Sequence, residues 1–108
     1  MYKLTATDHE ILHAMETMVD AIATMFGEHT EVLLHALDEN NPCVTKIANG
    51  HVTGRKVGAP ITNIALIKLE QGYDISAPYI TKSPNGKTLR SYTTIIRNSS
   101  NQPIGLIC

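Results

Sequence analysis

Neither sign of charge dominates this chain. Its 108 residues carry 9 basic and 10 acidic side chains, for a formal net charge of −1. Gripping a nucleic acid by its phosphates takes a cluster of uncompensated Lys and Arg, so this segment by itself is not expected to bind one. No apolar run approaches the roughly 20 residues that cross a bilayer. Residues 1–7 also lack the basic and apolar regions of a signal peptide. The expectation is a soluble, cytoplasmic domain. Only two cysteines occur, Cys43 and Cys108, far apart and without a C-x-x-C spacing. In a chain with no export signal they are expected to stay reduced. Internal repeats and low-complexity segments are lacking too.

What is present suffices for one compact domain, since 43% of the residues are hydrophobic. A first helix is expected over about residues 8–26. Thr7 is a suitable N-cap, with Glu10 three residues on to complete a T-x-x-E capping box. Ile11, Leu12, Met15, Met18, Val19, Ile22 and Phe26 then recur at helical steps, and Gly27 stops the run. Residues 31–37 and 44–48 read as strands, and Asn49-Gly50 as a turn. Glycines at 50, 54 and 58 make the next stretch a loop, after which Pro60 opens a helix over residues 61–71. Strands over 79–82 and 87–97 flank the turn "SPNG", and "NSSNQ" leads into a last strand, "PIGLIC". This order of elements points to an α+β fold, one mixed sheet with helices on its faces.

One motif demands a test. His9-Glu10-Ile11-Leu12-His13 fits H-E-x-x-H, the pattern of zinc peptidases, in which two imidazoles one helical turn apart hold the metal beside a glutamate base. In a chain of this size with 5 histidines, the pattern arises by chance on the order of once in a hundred sequences. Glu10 is already committed to the capping box, and His9 and His13 fall outside the apolar stripe, facing solvent. A third ligand would have to be Glu28, His29 or Glu31, a full helix away from His13. The motif is therefore read as coincidence and no metal site is expected.

"NGHVTGRKVG" (residues 49–58) falls short of a phosphate loop, because Gly50 and Gly54 enclose three residues rather than four and Val57 stands where the magnesium-binding hydroxyl belongs. Two readings of this bend remain. It holds an anionic or polar ligand through His51, Thr53, Arg55 and Lys56, or it is a solvated turn. His35, inside an apolar strand, is either a hydrogen-bonded core residue or a ligand contact. Along residues 87–97 strict alternation would place Arg90, Tyr92 and Thr94 on one face, opposite Leu89, Ser91, Thr93 and Ile95. No serine, cysteine or aspartate stands beside a histidine in a nucleophile signature, so an enzyme is not expected.

Three stretches, "EVLLHAL" (31–37), "IANGHVTGRKVGAPIT" (47–62) and "NGKTLRSYTTIIRNSSNQPIGLIC" (85–108), together resemble the YheO-like PAS domain over nearly the whole chain. The middle stretch is the most specific. Members of that family resemble bacterial transcriptional regulators, D-arginine utilisation regulators among them, with a PAS-type sensor followed by a helix-turn-helix DNA-binding segment. The resemblance implies a five-stranded antiparallel sheet in the order 2-1-5-4-3, with helices on one face and an N-terminal flanking helix. Residues 1–108 would form the single sensor domain, cut at its edge, and the DNA-binding segment would lie outside it.

The resemblance further implies a homodimer formed through the first helix, where Ile11, Met15, Met18 and Ile22 are the candidate contacts. A cavity for an unidentified small molecule would lie between the sheet and residues 49–71, lined by His35, Asn49, His51, Thr53, Arg55 and Tyr92. Arg55 would be the anchor for a carboxylate. No cofactor is implied: the cysteine motif of flavin-binding relatives is not seen, and His51 sits in a loop, whereas haem-binding relatives use a helical histidine. DNA would be contacted only through the further segment, and no membrane is involved. The alternatives are a purely structural dimerisation domain without ligand and, behind it, a small zinc hydrolase.

Overall fold

A computed structural model describes all of residues 1–108. Helix α1 (Ala6–Phe26) begins earlier than the sequence pattern suggested. Its N-cap is Thr5, whose Oγ1 accepts from the Asp8 amide at 3.1 Å while the Asp8 carboxylate accepts from the Thr5 amide at 3.0 Å. The expected box of Thr7 and Glu10 is therefore displaced by two residues. Both registers satisfy the same local rule, and long-range partners decide between them. The Asp8 carboxylate also accepts from the Tyr2 hydroxyl at 2.6 Å and from Asn98 Nδ2 at 3.0 Å. Glu10 is exposed and has no such partner. Thr5→Ala is accordingly expected to lower stability by about 1 kcal/mol, and Thr7→Ala by less than about 0.5 kcal/mol, in urea unfolding. Equal losses would restore the original register.

Four strands form the main sheet. They are β1 (Val32–Ala36), β2 (Cys43–Ala48), β5 (Thr94–Arg97) and β6 (Pro103–Ile107), in the order β2-β1-β6-β5 and all antiparallel. Strand β1 is central and every residue in it is buried. Its alternate residues Val32, Leu34 and Ala36 meet Leu12, Val19 and Ala23 of α1 in the larger hydrophobic cluster. A second cluster on the opposite side joins Leu37, Ile95 and Leu106 to Ala65 of helix α2 (Asn63–Gln71). The sheet is thus covered on both sides, by α1 on one and by α2 on the other.

The remaining two strands, β3 (Tyr79–Lys82) and β4 (Thr88–Ser91), pair only with each other. The five strands expected therefore resolve into four plus two, because the long strand over 87–97 breaks at Tyr92-Thr93. The cause lies across the ladder. Pro78 offers no amide for pairing, and the Thr93 backbone turns to Ser76 instead: the Ser76 amide donates to Thr93 O at 2.8 Å, and the Thr93 amide donates to Ser76 Oγ at 2.9 Å. Ile75 bridges to Thr94, whereas Tyr79 pairs with Ser91, so the register slips by one residue across the break. Reading through the slip restores the 2-1-5-4-3 succession, with a hairpin that peels away from the sheet.

Candidate functional site

Where the hairpin peels away it leaves a cavity of about 410 Å³. The floor is the face of the sheet carrying Leu33, His35 and Cys108, and the walls are the hairpin, the start of α2 and the loop at residues 52–55. His35 reaches it from β1 at a bulge, where the register with β2 shifts between Leu34 and His35. The residue is 1% exposed. Burial, and then the nearby Arg55 charge, lower the pKa of its imidazole to about 4. It is therefore neutral at physiological pH. Arg55 Nη2 lies 3.5 Å from His35 Nε2. A guanidinium only donates, so Nε2 is the acceptor and the proton sits on Nδ1.

That proton points at Cys108, whose Sγ is 4.0 Å from Nδ1. Beyond it the string continues to Thr93 Oγ1 at 3.6 Å and from there to the Tyr79 hydroxyl at 2.6 Å. Burial raises the pKa of the Cys108 thiol and of the Tyr79 phenol, so both remain protonated. A polar but uncharged string thus crosses the floor from β1 through β6 to the hairpin. It ends on Arg55.

The loop that presents Arg55 is folded by its own polar residues. Asn49 adopts the left-handed conformation (φ 57°), and its Nδ2 donates to Gly27 O at 3.1 Å and Thr30 O at 2.9 Å. This ties the loop to the end of α1. A 3₁₀ turn follows over Gly50–Val52. Thr53 then donates to Glu31 Oε2 from both its amide (3.2 Å) and its hydroxyl (2.6 Å), while Thr53 Oγ1 accepts from the Arg55 amide at 3.1 Å. With its backbone fixed in this way, Arg55 turns inward and Nη2 donates to Pro60 O at 3.2 Å.

Of the residues singled out from sequence, His35, Thr53 and Arg55 line the cavity together. The other three lie elsewhere. Asn49 spends its amide on the backbone of the α1 terminus. His51 is exposed on the 3₁₀ turn. Tyr92 is 44% exposed, its ring 5.6 Å from the Arg90 guanidinium, because the hairpin turns that face outward. Glu31, Tyr79 and Cys108 are cavity residues that pattern reasoning missed, and Thr93 beneath them holds the string together. On α1, Ile11, Met15 and Ile22 pack in part against the sheet of their own chain, and Met18 is 46% exposed. His9 and His13 stand exposed on the same helix, His13 Nδ1 being 2.5 Å from Glu16, and no cluster of three or more His, Cys, Asp or Glu side chains forms around them. No helix is long and apolar enough to cross a membrane.

A profile of the YheO-like PAS domain matches residues 6–108, nearly the whole chain. The chain belongs to that family. An uncharacterised protein of Haemophilus influenzae is 38% identical to this PAS domain over 109 residues, 99% of the chain and 49% of the relative. YheO of Escherichia coli is 42% identical over 106 residues, covering 94% of the chain and 44% of the relative. The transcriptional regulator DauR of Pseudomonas aeruginosa is 31% identical over 97 residues, 90% of the chain and 45% of the relative. The PAS domain therefore spans about half the length of the curated relatives it matches. A light-oxygen-voltage domain solved in work on a flavin analogue superposes with a TM-score of 0.55 over 87% of this chain and 83% of that one. At 15% identity that likeness shows the fold alone.

Proposed function

We propose that this PAS domain is the sensory half of a bacterial transcriptional regulator, binding a small molecule in the cavity behind the hairpin. The observation that carries this reading is the cavity itself. A domain built only to dimerise has no use for a space of about 410 Å³ floored by a buried polar string. Kinship with the transcriptional regulator DauR supports the regulatory setting. The relatives are about twice as long as this chain, which leaves room for a DNA-binding segment. The role is regulatory rather than enzymatic, and the working form is a cytoplasmic homodimer. Dimerisation would use the outer side of α1, where Met18, Met25 and Phe26 are 46%, 72% and 71% exposed beside Ile11, Met15 and Ile22.

Native mass spectrometry of the purified chain, before and after metal chelation, tests this directly. The expected result is a dimer carrying an additional small-molecule mass that chelation does not remove. An empty monomer that stays empty on metabolite screening would remove the support. One zinc per chain, lost on chelation, would return attention to His9 and His13.

A further inference from the structure

The cavity contains more positive charge than the protein neutralises. Arg55, Lys82 and Arg90 line it against a single carboxylate, that of Glu31. None of the three cations belongs to an ion pair; the protein's pairs involve His13, His29, Lys46 and Arg97. Glu31 is already occupied, since one of its oxygens accepts two hydrogen bonds from Thr53. Lys82 and Arg90 are exposed on the hairpin at the rim. Arg55 is the interior cation. Its Nη2 is satisfied by Pro60 O and approaches His35 Nε2, whereas Nε and Nη1 have no acceptor in the protein. Three N–H donors on a permanent charge are thus open to solvent rather than sealed in the protein, and free to take an oxygen from a bound molecule.

Buried and half-buried cations are retained where something pairs with them, and an arginine with spare donors matches an oxyanion. The rest of the wall narrows the class. Thr81 and Ser91 present hydroxyls from the hairpin, and only 7 of the 21 lining residues are hydrophobic. At about 410 Å³ the space falls in the range of small-molecule pockets. From these features we infer that the sensed ligand is a small, hydrogen-bonding carboxylate whose anionic end is held by Arg55, with Lys82 and Arg90 adding positive charge only at the rim, where the Arg90 guanidinium lies beside the Tyr92 ring. This inference rests on the sensory reading above and adds the charge and polarity of what is sensed.

Thermal unfolding of the chain with a matched panel distinguishes the possibilities. The panel holds succinate, malate and citrate, their neutral amides, 1,4-diaminobutane as the cationic counterpart, and inorganic phosphate. At least one acid is expected to raise Tm by about 4 °C or more, while its amide and the diamine leave Tm unchanged. Arg55→Gln should abolish that rise, and Arg55→Lys, which keeps the charge but not the planar set of donors, should weaken binding about tenfold. The unliganded Tm of each variant shows that it folds. An equal rise from the amides or the diamine, a larger rise from phosphate, or a rise that survives Arg55→Gln overturns the inference. A silent panel alongside a co-purified neutral or cationic molecule overturns the ligand class but leaves sensing intact. A silent panel with an empty cavity in native mass spectra takes the sensory reading down with it.

Discussion

Acidifying from neutral pH to pH 4 is expected to cost the fold about 3 kcal/mol through His35 alone. Burial and the Arg55 charge depress the pKa of its imidazole from 6.5 to about 4 in the folded protein. The unfolded chain takes up its proton near the ordinary value, while the folded chain refuses it until the lower one. Between the two the unfolded state binds more protons, so stability falls as pH drops. His35 therefore contributes fully above pH 6.5 and progressively less down to about pH 4. Urea midpoints measured across this window should slope in the wild type and flatten in His35→Gln.

A second acid limb lies lower. Hydrogen bonds from the Tyr2 hydroxyl, the Thr5 amide and the Asn98 amide hold the Asp8 carboxylate well below its ordinary value of 3.8. Its contribution is present above that value and is lost only as pH falls further, in both proteins. An unchanged slope between pH 6.5 and 4 in His35→Gln would show that the imidazole is not held neutral.

Gly105→Ala is expected to be the most damaging methyl addition in the sheet. A Cβ at that position would stand 2.5 Å from Leu12 Cδ2 and 2.9 Å from the His35 carbonyl oxygen. The first contact is the end of a side chain and can move. The second is the backbone of the neighbouring strand, paired with β6 in register, and cannot. A loss of about 1–3 kcal/mol follows, measured by thermal or urea unfolding. Combining Gly105→Ala with Leu12→Val relieves only the helix contact, so part of the loss should persist. Wild-type stability for Gly105→Ala would mean that α1 rides higher on the sheet than described. The glycine is what lets α1 lie close enough to bury Leu12, Val19 and Ala23 against β1.

The elements were legible in the sequence because their signals are local. Periodicity marked α1, Asn49-Gly50 and "SPNG" marked turns, and Gly27 marked a helix end. The start of α1 was not, since Thr5 with Asp8 and Thr7 with Glu10 are equivalent to local inspection, and the choice rests on Tyr2 and on Asn98, 90 residues away. The break at Tyr92-Thr93 was not legible either, since it depends on Pro78 and on Ser76 as the substitute partner of Thr93, both on another segment of the chain. The same division runs through the site. His35, Thr53 and Arg55 lie in a strand and a loop that the family resemblance singled out. Glu31, Tyr79 and Cys108 join them only through tertiary approach, and Tyr92 was assigned a face by an alternation that the break at Tyr92-Thr93 made meaningless.

The hairpin of β3 and β4 walls the cavity and is held to the body mainly by polar contacts: the Tyr79–Thr93 hydroxyl pair, the Lys68 ammonium of α2 over the Tyr79 ring at 4.6 Å, and a bond from Asn85 Nδ2 to Val52 O at 3.0 Å. Its inward residues Thr81, Leu89 and Ser91 touch the cavity but belong to neither hydrophobic cluster. His35 on the cavity floor belongs to the fold, whereas the inner face of the hairpin stands apart from both hydrophobic clusters. Mutations can rewrite the inner face of the hairpin without disturbing the packing of α1 on the sheet. Under the proposed sensory role, such a scaffold is free across a lineage to change its ligand while keeping the same fold.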